Sequence, residues 1–464
     1  MRIERLTAED ELMLRADAAW PQDVGAIGTL EGDLLLDATG NLRLNAVRQH
    51  IASRLHLVPR FRQVVHYPRR GLGPPLWRDD PRFDVDRHVG IEPLPAGSGE
   101  AGLLLAIERL RRRRLDMSRP LWEMWFLPGL ADGRIGLFVR MHHAIGDGRA
   151  AMTILSAFFD PSPDVPSSTA PPWTPAALPS ARQLLIDNLR RLAAGAGAAL
   201  SVLVRPLALL RRLRSGLPAM RELMADKPGS DTSLNRLIGP DRNLALVRGS
   251  VALVRRIGRR YDATVNDVLL AAIAGGLREL LRSRGEPVAG VTVRIFVPVS
   301  LRRRLRGTVQ GNRISQMVVP LRLGVADPGR RLALIAAETA RRKAWPRVSL
   351  GGLFGIGVVR RVMLKSIIRQ RVNVTSASIP GPRRPLYLAG ARVLELFPVL
   401  NLLGNEPLGV GALSYAGALD IAIVADRDTF PDVDLLAAAL RRELDLLDPE
   451  AAPERTEERV LATA

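Results

Sequence analysis

The chain has no cysteine in 464 residues. Disulfides and thiolate metal sites are therefore excluded, and the composition suits a reducing compartment. Aromatic residues make up only 4%; with no nucleic-acid motif beside them, a nucleic-acid partner is not expected. Lysine is nearly missing too. Lys227, Lys343 and Lys365 stand alone, so arginine carries almost all of a formal net charge of +20. Long apolar runs are absent as well. The most hydrophobic stretch, 192–204, stops at Arg205 and Pro206, whereas a membrane-spanning helix needs about 20 residues. The N-terminus is charged throughout and has no apolar core of signal-peptide length, so a cytoplasmic protein is expected.

What is present is a 47% hydrophobic composition, enough for large cores and about two or three domains. The excess positive charge favours polyanions, either an anionic bilayer or a phosphorylated small molecule.

Along the chain, strand-like and helix-like patterns alternate, which argues for a mixed α/β (α+β) fold. The first lobe is expected at 1–160. It contains a strand with a turn (25–37), a helix then a strand (42–67), a helix ending in four arginines (99–116), a strand (134–141) and a helix (149–159). Residues 161–231 read as a Pro-rich linker followed by a basic, apolar helical insert at 181–224. With arginines at the headgroups and apolar residues in the acyl boundary, the insert fits an interfacial helical hairpin; packing on its own protein is the alternative. The second lobe is expected at 232–447, with a polar tail at 448–464. In its first helix, Thr264 and Asp267 have capping-box spacing. The two lobes look alike in pattern and size.

Two of only six histidines sit side by side in MHHAIGDG, residues 141–148, where a strand gives way to a helix. A neutral imidazole takes a proton from a hydroxyl near pH 7, so His143 is a candidate general base. Asp147 could orient an imidazole or pair with an arginine. Gly146 and Gly148 permit the backbone angles that a tight turn often needs. No GxSxG occurs, so a covalent acyl-enzyme is not indicated. Adjacent histidines with no third ligand nearby make a metal site a poor fit. His50, His56, His66 and His88 read as structural.

The spacing of His142, His143, Asp147 and Gly148 after a strand resembles the signature of the CoA-dependent acyltransferase superfamily. That superfamily has the chloramphenicol acetyltransferase-like fold, which condensation domains of peptide synthetases share. The surrounding text is narrower. LDMSRPLWEMWFLPGLADGRIGLFVRMHHAIGDG (115–148) resembles the bacterial wax ester synthase/diacylglycerol acyltransferase family, including its Pro-Leu-Trp element at Pro120, Leu121 and Trp122. PRFRQVV (59–65), TVNDVLLAAIAGGLR (264–278), GNRISQMVVPL (311–321) and SYAGALDIAIVADRD (414–428) resemble further blocks in the same order.

The resemblance implies two lobes with mixed sheets and an active-site tunnel at their interface. His143 would be the general base, with His142 and Asp147 in support, Asp147 through an ion pair with an arginine. Pro120, Leu121 and Trp122 would line an acyl tunnel or pack the core. Asn266 and Asp267 match the family's Asn-Asp element, although Asp267 also reads as a helix cap. The family usually carries Asn before its Val-Pro-Gly-Pro turn; here the text is SASIPGP, with Ser378 in that place. A serine still donates a hydrogen bond, but the change bears on acceptor preference. The implied reaction moves a long-chain acyl group from acyl-CoA, a co-substrate, to diacylglycerol or a fatty alcohol, with no cofactor. An anionic membrane or lipid-droplet surface is the implied partner, with the protein peripheral to the inner face of the plasma membrane or to lipid inclusions. The alternatives are a condensation-type enzyme using carrier-protein thioesters and a non-catalytic lipid-surface protein.

Overall fold

Ile135, Leu137, Val139 and Met141 recur at every second position and are all buried in one core, while Phe138 between them is buried in another. A strand buried on both faces must lie inside a sheet. The computed structural model describes residues 3–146, 148–165, 170–204, 229–300, 314–344 and 372–448. Its strands are β1 (Asp23–Leu30), β2 (Gln63–His66), β3 (Leu76–Asp79), β4 (Val89–Ile91), β5 (Trp122–Pro128), β6 (Ile135–His142), β7 (Arg242–Ser250), β8 (Thr292–Ser300), β9 (Ile314–Arg322), β10 (Val372–Pro380), β11 (Tyr387–Leu388), β12 (Ala391–Val399), β13 (Leu408–Tyr415) and β14 (Ala418–Asp426).

Two six-stranded sheets organise two lobes. The first has the order β11-β12-β1-β6-β5-β4 and the second β7-β14-β13-β10-β8-β9. Both are mixed, as expected. β4 runs parallel to β5, and β10 runs parallel to β8 and β13.

The strands do not follow the sequence boundaries. β11 and β12 lie within 232–447, the stretch assigned to the second lobe, yet β12 pairs with β1 in the first sheet. The reason lies in β1. Its Val24, Ala26 and Leu30 face the first core and Ile27 faces a different one, so β1 cannot be left as an edge. β12 covers it. Apolar pattern announces that a strand is buried, not which strand lies beside it.

The helix Glu100–Arg112 joins the lobes. Leu103, Ala106, Ile107 and Leu110 recur at helical spacing. They pack with Ile27, Phe138 and Phe397 of the first sheet and with Leu244 and Val424 of the second. Each buried Leu or Ile contributes about 1.5–3 kcal/mol. Polar contacts reinforce the junction. Arg248 on β7 reaches Glu100 at 2.6 Å and Glu395 at 2.5 Å. Arg112 reaches Asp241 at 3.0 Å, and the Glu108 carboxylate accepts the Arg242 N–H at 2.7 Å.

The linker lies on the first lobe. Trp173 packs under the Arg62 guanidinium and edge-on to Phe83. The helix Ala181–Val204 follows. Its first turns are tied down: Leu184 is buried, Asp187 pairs with Arg5 at 2.9 Å and Asn188 donates to Gly71 O at 3.0 Å. From Leu189 to Gly197 it is exposed. The rest of the insert, 205–224, lies outside the described residues. No described helix is long and apolar enough to cross a membrane.

Candidate active site

β6 delivers the two histidines to the seam between the lobes. The strand ends at His142, and a turn closes with the Ile145 N–H donating to His142 O at 2.9 Å. His142 is only 1% exposed. Its Nδ1 accepts the Ala144 N–H at 3.0 Å, so Nδ1 carries no proton. The neutral ring must then hold its hydrogen on Nε2, which faces Asp17 Oδ1 across a long 3.5 Å contact. This geometry makes His142 a brace for the turn. His143 is half-buried, and its N–H donates to Gln22 O at 2.8 Å.

A short segment before β1 holds both histidines, and sequence reading missed it. Asp17 Oδ1 accepts the Gln22 N–H at 2.7 Å while facing His142. Burial pushes the Asp17 carboxyl up, but the hydrogen bonds from His142 and Gln22 outweigh it and hold the group below its ordinary value. Gln22 in turn accepts from Asn401 Nδ2 at 2.7 Å. Asn401 follows β12, so the crossover connection reaches the histidine turn from the other side. No motif marks Asp17, Gln22 or Asn401, because each works through contacts that only the folded chain creates.

The Pro-Leu-Trp element is buried. Pro120 is internal, and Leu121 and Trp122 are each 1% exposed. Trp122 stacks on Phe61 at 4.5 Å and on His88 at 4.8 Å, and its indole N–H donates to Phe61 O at 2.8 Å. The element reaches the site through its backbone: Leu121 O accepts the His142 N–H at 2.9 Å. His88 donates from Nδ1 to Trp122 O at 2.8 Å, and burial pushes its pKa down.

Asp147 lies outside the described residues, and Gly148 opens the helix Gly148–Ser156. Gly146 does not take a left-handed backbone angle. A side chain there would put its Cβ 2.8 Å from the Ala150 Cβ, so the requirement is close approach to the following helix. Asp267 caps the helix Val265–Ser283 as the spacing indicates. Its Oδ2 accepts the Thr264 N–H at 2.9 Å, and its Oδ1 accepts from Thr339 at 2.6 Å. Both oxygens are thus used to join two helices. Asn266 is half-buried in the same turn, and Ser378 is exposed on β10 opposite Ala412.

Beside the histidine turn the seam encloses a cavity of about 20 Å³, lined by Pro21, Asp23, Glu108, Arg111, Arg242 and Leu402 among others. That is room for a water, not for an acyl chain. Among the described residues no group of three His, Asp or Glu is placed to hold a metal.

Comparison with known proteins converges on one family. Residues 6–269 match the wax ester synthase/diacylglycerol acyltransferase catalytic domain, and residues 310–448 match the C-terminal domain of the same family. A putative diacylglycerol O-acyltransferase of Mycobacterium bovis is 31% identical over 433 residues, covering 90% of this chain and 89% of the relative. A probable diacylglycerol O-acyltransferase of Mycobacterium tuberculosis, tgs1, matches equally well over the same shares. Among solved structures, the wax ester synthase/diacylglycerol acyltransferase from Marinobacter aquaeolei VT8 superposes with a TM-score of 0.67 at 23% identity, covering 97% of this chain and all of that one. The first condensation domain of the calcium-dependent antibiotic synthetase gives 0.60 at 16%, with 97% of each chain covered. These two establish the two-lobed fold.

Proposed function

Because the chain belongs to the wax ester synthase/diacylglycerol acyltransferase family, we propose that it transfers a long-chain acyl group from acyl-CoA to a lipid hydroxyl, with His143 as general base. The hydroxyl oxygen attacks the thioester carbonyl as the imidazole takes its proton. The C–S bond breaks, an O–C bond replaces it, and the proton passes to the departing CoA thiolate. The acceptor is diacylglycerol, giving triacylglycerol, or a fatty alcohol, giving a wax ester. General-base help supplies about 10²–10⁴-fold, and holding both substrates against the base supplies more.

The observation that carries this reading is the division of labour in the turn. His142 is locked by Ala144 and faces Asp17, which leaves His143 as the half-buried imidazole on the seam. Asp147 keeps the orienting role that the resemblance gives it, and Ser378, standing where the family carries Asn, is the position that bears on acceptor preference. The test is purified protein with labelled long-chain acyl-CoA and each acceptor in turn, followed by lipid separation. Ester formation supports the reading, and absence of ester with either acceptor refutes it.

The lipid acceptor also calls for an interface. Leu185, Ile186, Leu189 and Leu192 are exposed on the helix Ala181–Val204, beside Arg182, Arg190 and Arg191. Leucines would enter the acyl boundary, and each arginine near an anionic surface would contribute about 1 kcal/mol. This supports peripheral attachment to the inner face of the plasma membrane or to lipid inclusions. Sedimentation with anionic vesicles should fall when Leu189 and Leu192 are replaced by serine; unchanged sedimentation removes the helix from the account.

A further inference from the structure

Strand β1 begins its pairing with its two neighbours at different residues. Against β6 the first rung is Asp23 with His142, and the Gln22 carbonyl adds one more by accepting the His143 N–H at 2.8 Å. Against β12 the first rung is Gly25 with Val399. Past Val399 the chain crosses to the second lobe. Gly404 O accepts the Ile238 N–H at 3.1 Å, and Pro407 O accepts the Asp426 N–H at 2.8 Å. Backbone pairing with β12 therefore stops short of Gln22, the residue that holds His143.

A side-chain bond bridges this gap. Asn401 Nδ2 donates to Gln22 Oε1 at 2.7 Å. Gln22 is 0% exposed, so solvent cannot replace that donor. The Gln22 Nε2 donates to Trp20 O at 2.9 Å, and its N–H donates to Asp17 Oδ1 at 2.7 Å. These two bonds and the one from His143 stay within the first lobe; the Asn401 bond comes from the crossover. Asn401 rests on a fixed support, because its neighbour Leu402 is buried in the core that both lobes share. Without the Asn401 donor a buried oxygen would lose its partner. The carboxamide would then turn to find another and draw the Gln22 carbonyl with it.

We propose that Asn401 is a positioning residue. Through Gln22 it fixes the backbone of His143 from the crossover, so that the setting of the two lobes and the place of the base are determined together. This rests on the acyl-transfer reading of the His143 site.

The test uses the full chain and its Asn401→Leu, Gln22→Met and doubly substituted variants. Palmitoyl-CoA is the donor, and dioleoylglycerol and hexadecanol are the acceptors. kcat and KM are read per folded molecule, with folding followed by circular dichroism. Asn401→Leu should lower kcat about ten- to a hundredfold with either acceptor, with KM for palmitoyl-CoA little changed. Both substitutions break one link, so the double variant should fall no further than the worse single one. A merely structural Asn401 would lower the unfolding midpoint and leave kcat per folded molecule unmoved, which overturns the proposal. Losses that multiply in the double variant, or a raised KM with kcat intact, overturn it as well. Should any of these variants fail to fold, Asn401→Asp at neutral pH, which keeps the shape and loses the donor, carries the test through its kcat and KM. Wild-type turnover matched by the Asn401 variant overturns the assignment of Asn401 alone. Wild-type inactivity with both acceptors overturns the acyl-transfer reading and this proposal with it.

Discussion

Replacing His142 by asparagine, and separately by alanine, distinguishes the work of the two histidines. Asparagine places its Oδ1 near the position of the imidazole Nδ1 and can accept the Ala144 N–H that His142 holds at 3.0 Å. What it gives up is some ring volume and the long 3.5 Å contact with Asp17. That loss should cost about 1–2 kcal/mol of stability. Alanine gives up the acceptor as well. Ala144 is buried, so its N–H would be stranded at a cost of about 1–3 kcal/mol, and the empty ring site adds about 2 kcal/mol more. The alanine variant should therefore lose about 3–5 kcal/mol. Its turn is also free to shift, and a displacement of about 1 Å at His143 costs about 10²-fold in kcat. The asparagine variant should stay within about tenfold of wild type. Turnover can be followed by the thiol of released CoA, because a chain without cysteine gives no background with a thiol reagent. Denaturant unfolding gives the stability of each variant. If His142→Asn were as stable as wild type yet lost activity as completely as a protein without its base, His142 would itself be doing chemistry and the division of roles would be wrong.

Gly25→Ala should destabilise the protein by at least about 1–3 kcal/mol in a denaturant melt, since its Cβ would lie 2.1 Å from Val139 O on the strand that carries the histidines; a neutral effect would mean that β1 and β6 are not packed as described. Asp17→Asn should lower kcat by about tenfold and stability by about 1–2 kcal/mol, with KM for acyl-CoA little changed. The Asp17 carboxyl is held below 3.8, so its stabilisation is present above that pH and lost as pH falls through the lower folded value. The variant should lack that acid-side loss, and an unaltered acid limb would refute the contact. Glu406 has the opposite sign. Its carboxyl rises from 4.5 to about 7 on folding, so the stabilisation from proton uptake is complete below pH 4.5 and is lost as pH rises through 7. This amounts to about 3 kcal/mol at most. Asp420, pushed up to about 6 by burial, adds to the fall. Unfolding free energy should decline from pH 5 to 8, and Glu406→Gln should flatten the decline; an equal slope in both proteins would contradict the burial of this carboxyl.

The sequence made some parts of this molecule legible and hid others, for physical reasons. Local rules were readable. The Thr264–Asp267 box caps its helix as the spacing requires, and the alternation of Ile135, Leu137 and Val139 marks β6 correctly. The apolar spacing of Leu103, Ile107 and Leu110 identifies a buried helix face, though not that two lobes share it. Pairing over long distances was not readable. β12 looks like any buried strand, and only the exposed flank of β1 decides where it goes. The same limit hid the site's supports. Asp17 and Gln22 lie in a loop with no periodicity, and Asn401 arrives with the crossover. Gly146 has the right residue type for a turn, but its need is the nearness of Ala150. Trp122 reads equally as tunnel wall or core from sequence; its partners Phe61 and His88 put it in the core.

The most direct measurement is the turnover of His143→Ala against wild type, with acyl-CoA and either acceptor, in a sample whose circular dichroism and unfolding midpoint match the parent. The account predicts a folded protein that has lost about 10²–10⁴-fold or more of its CoA release and ester formation. Ester made at the parental rate by that folded variant would contradict it.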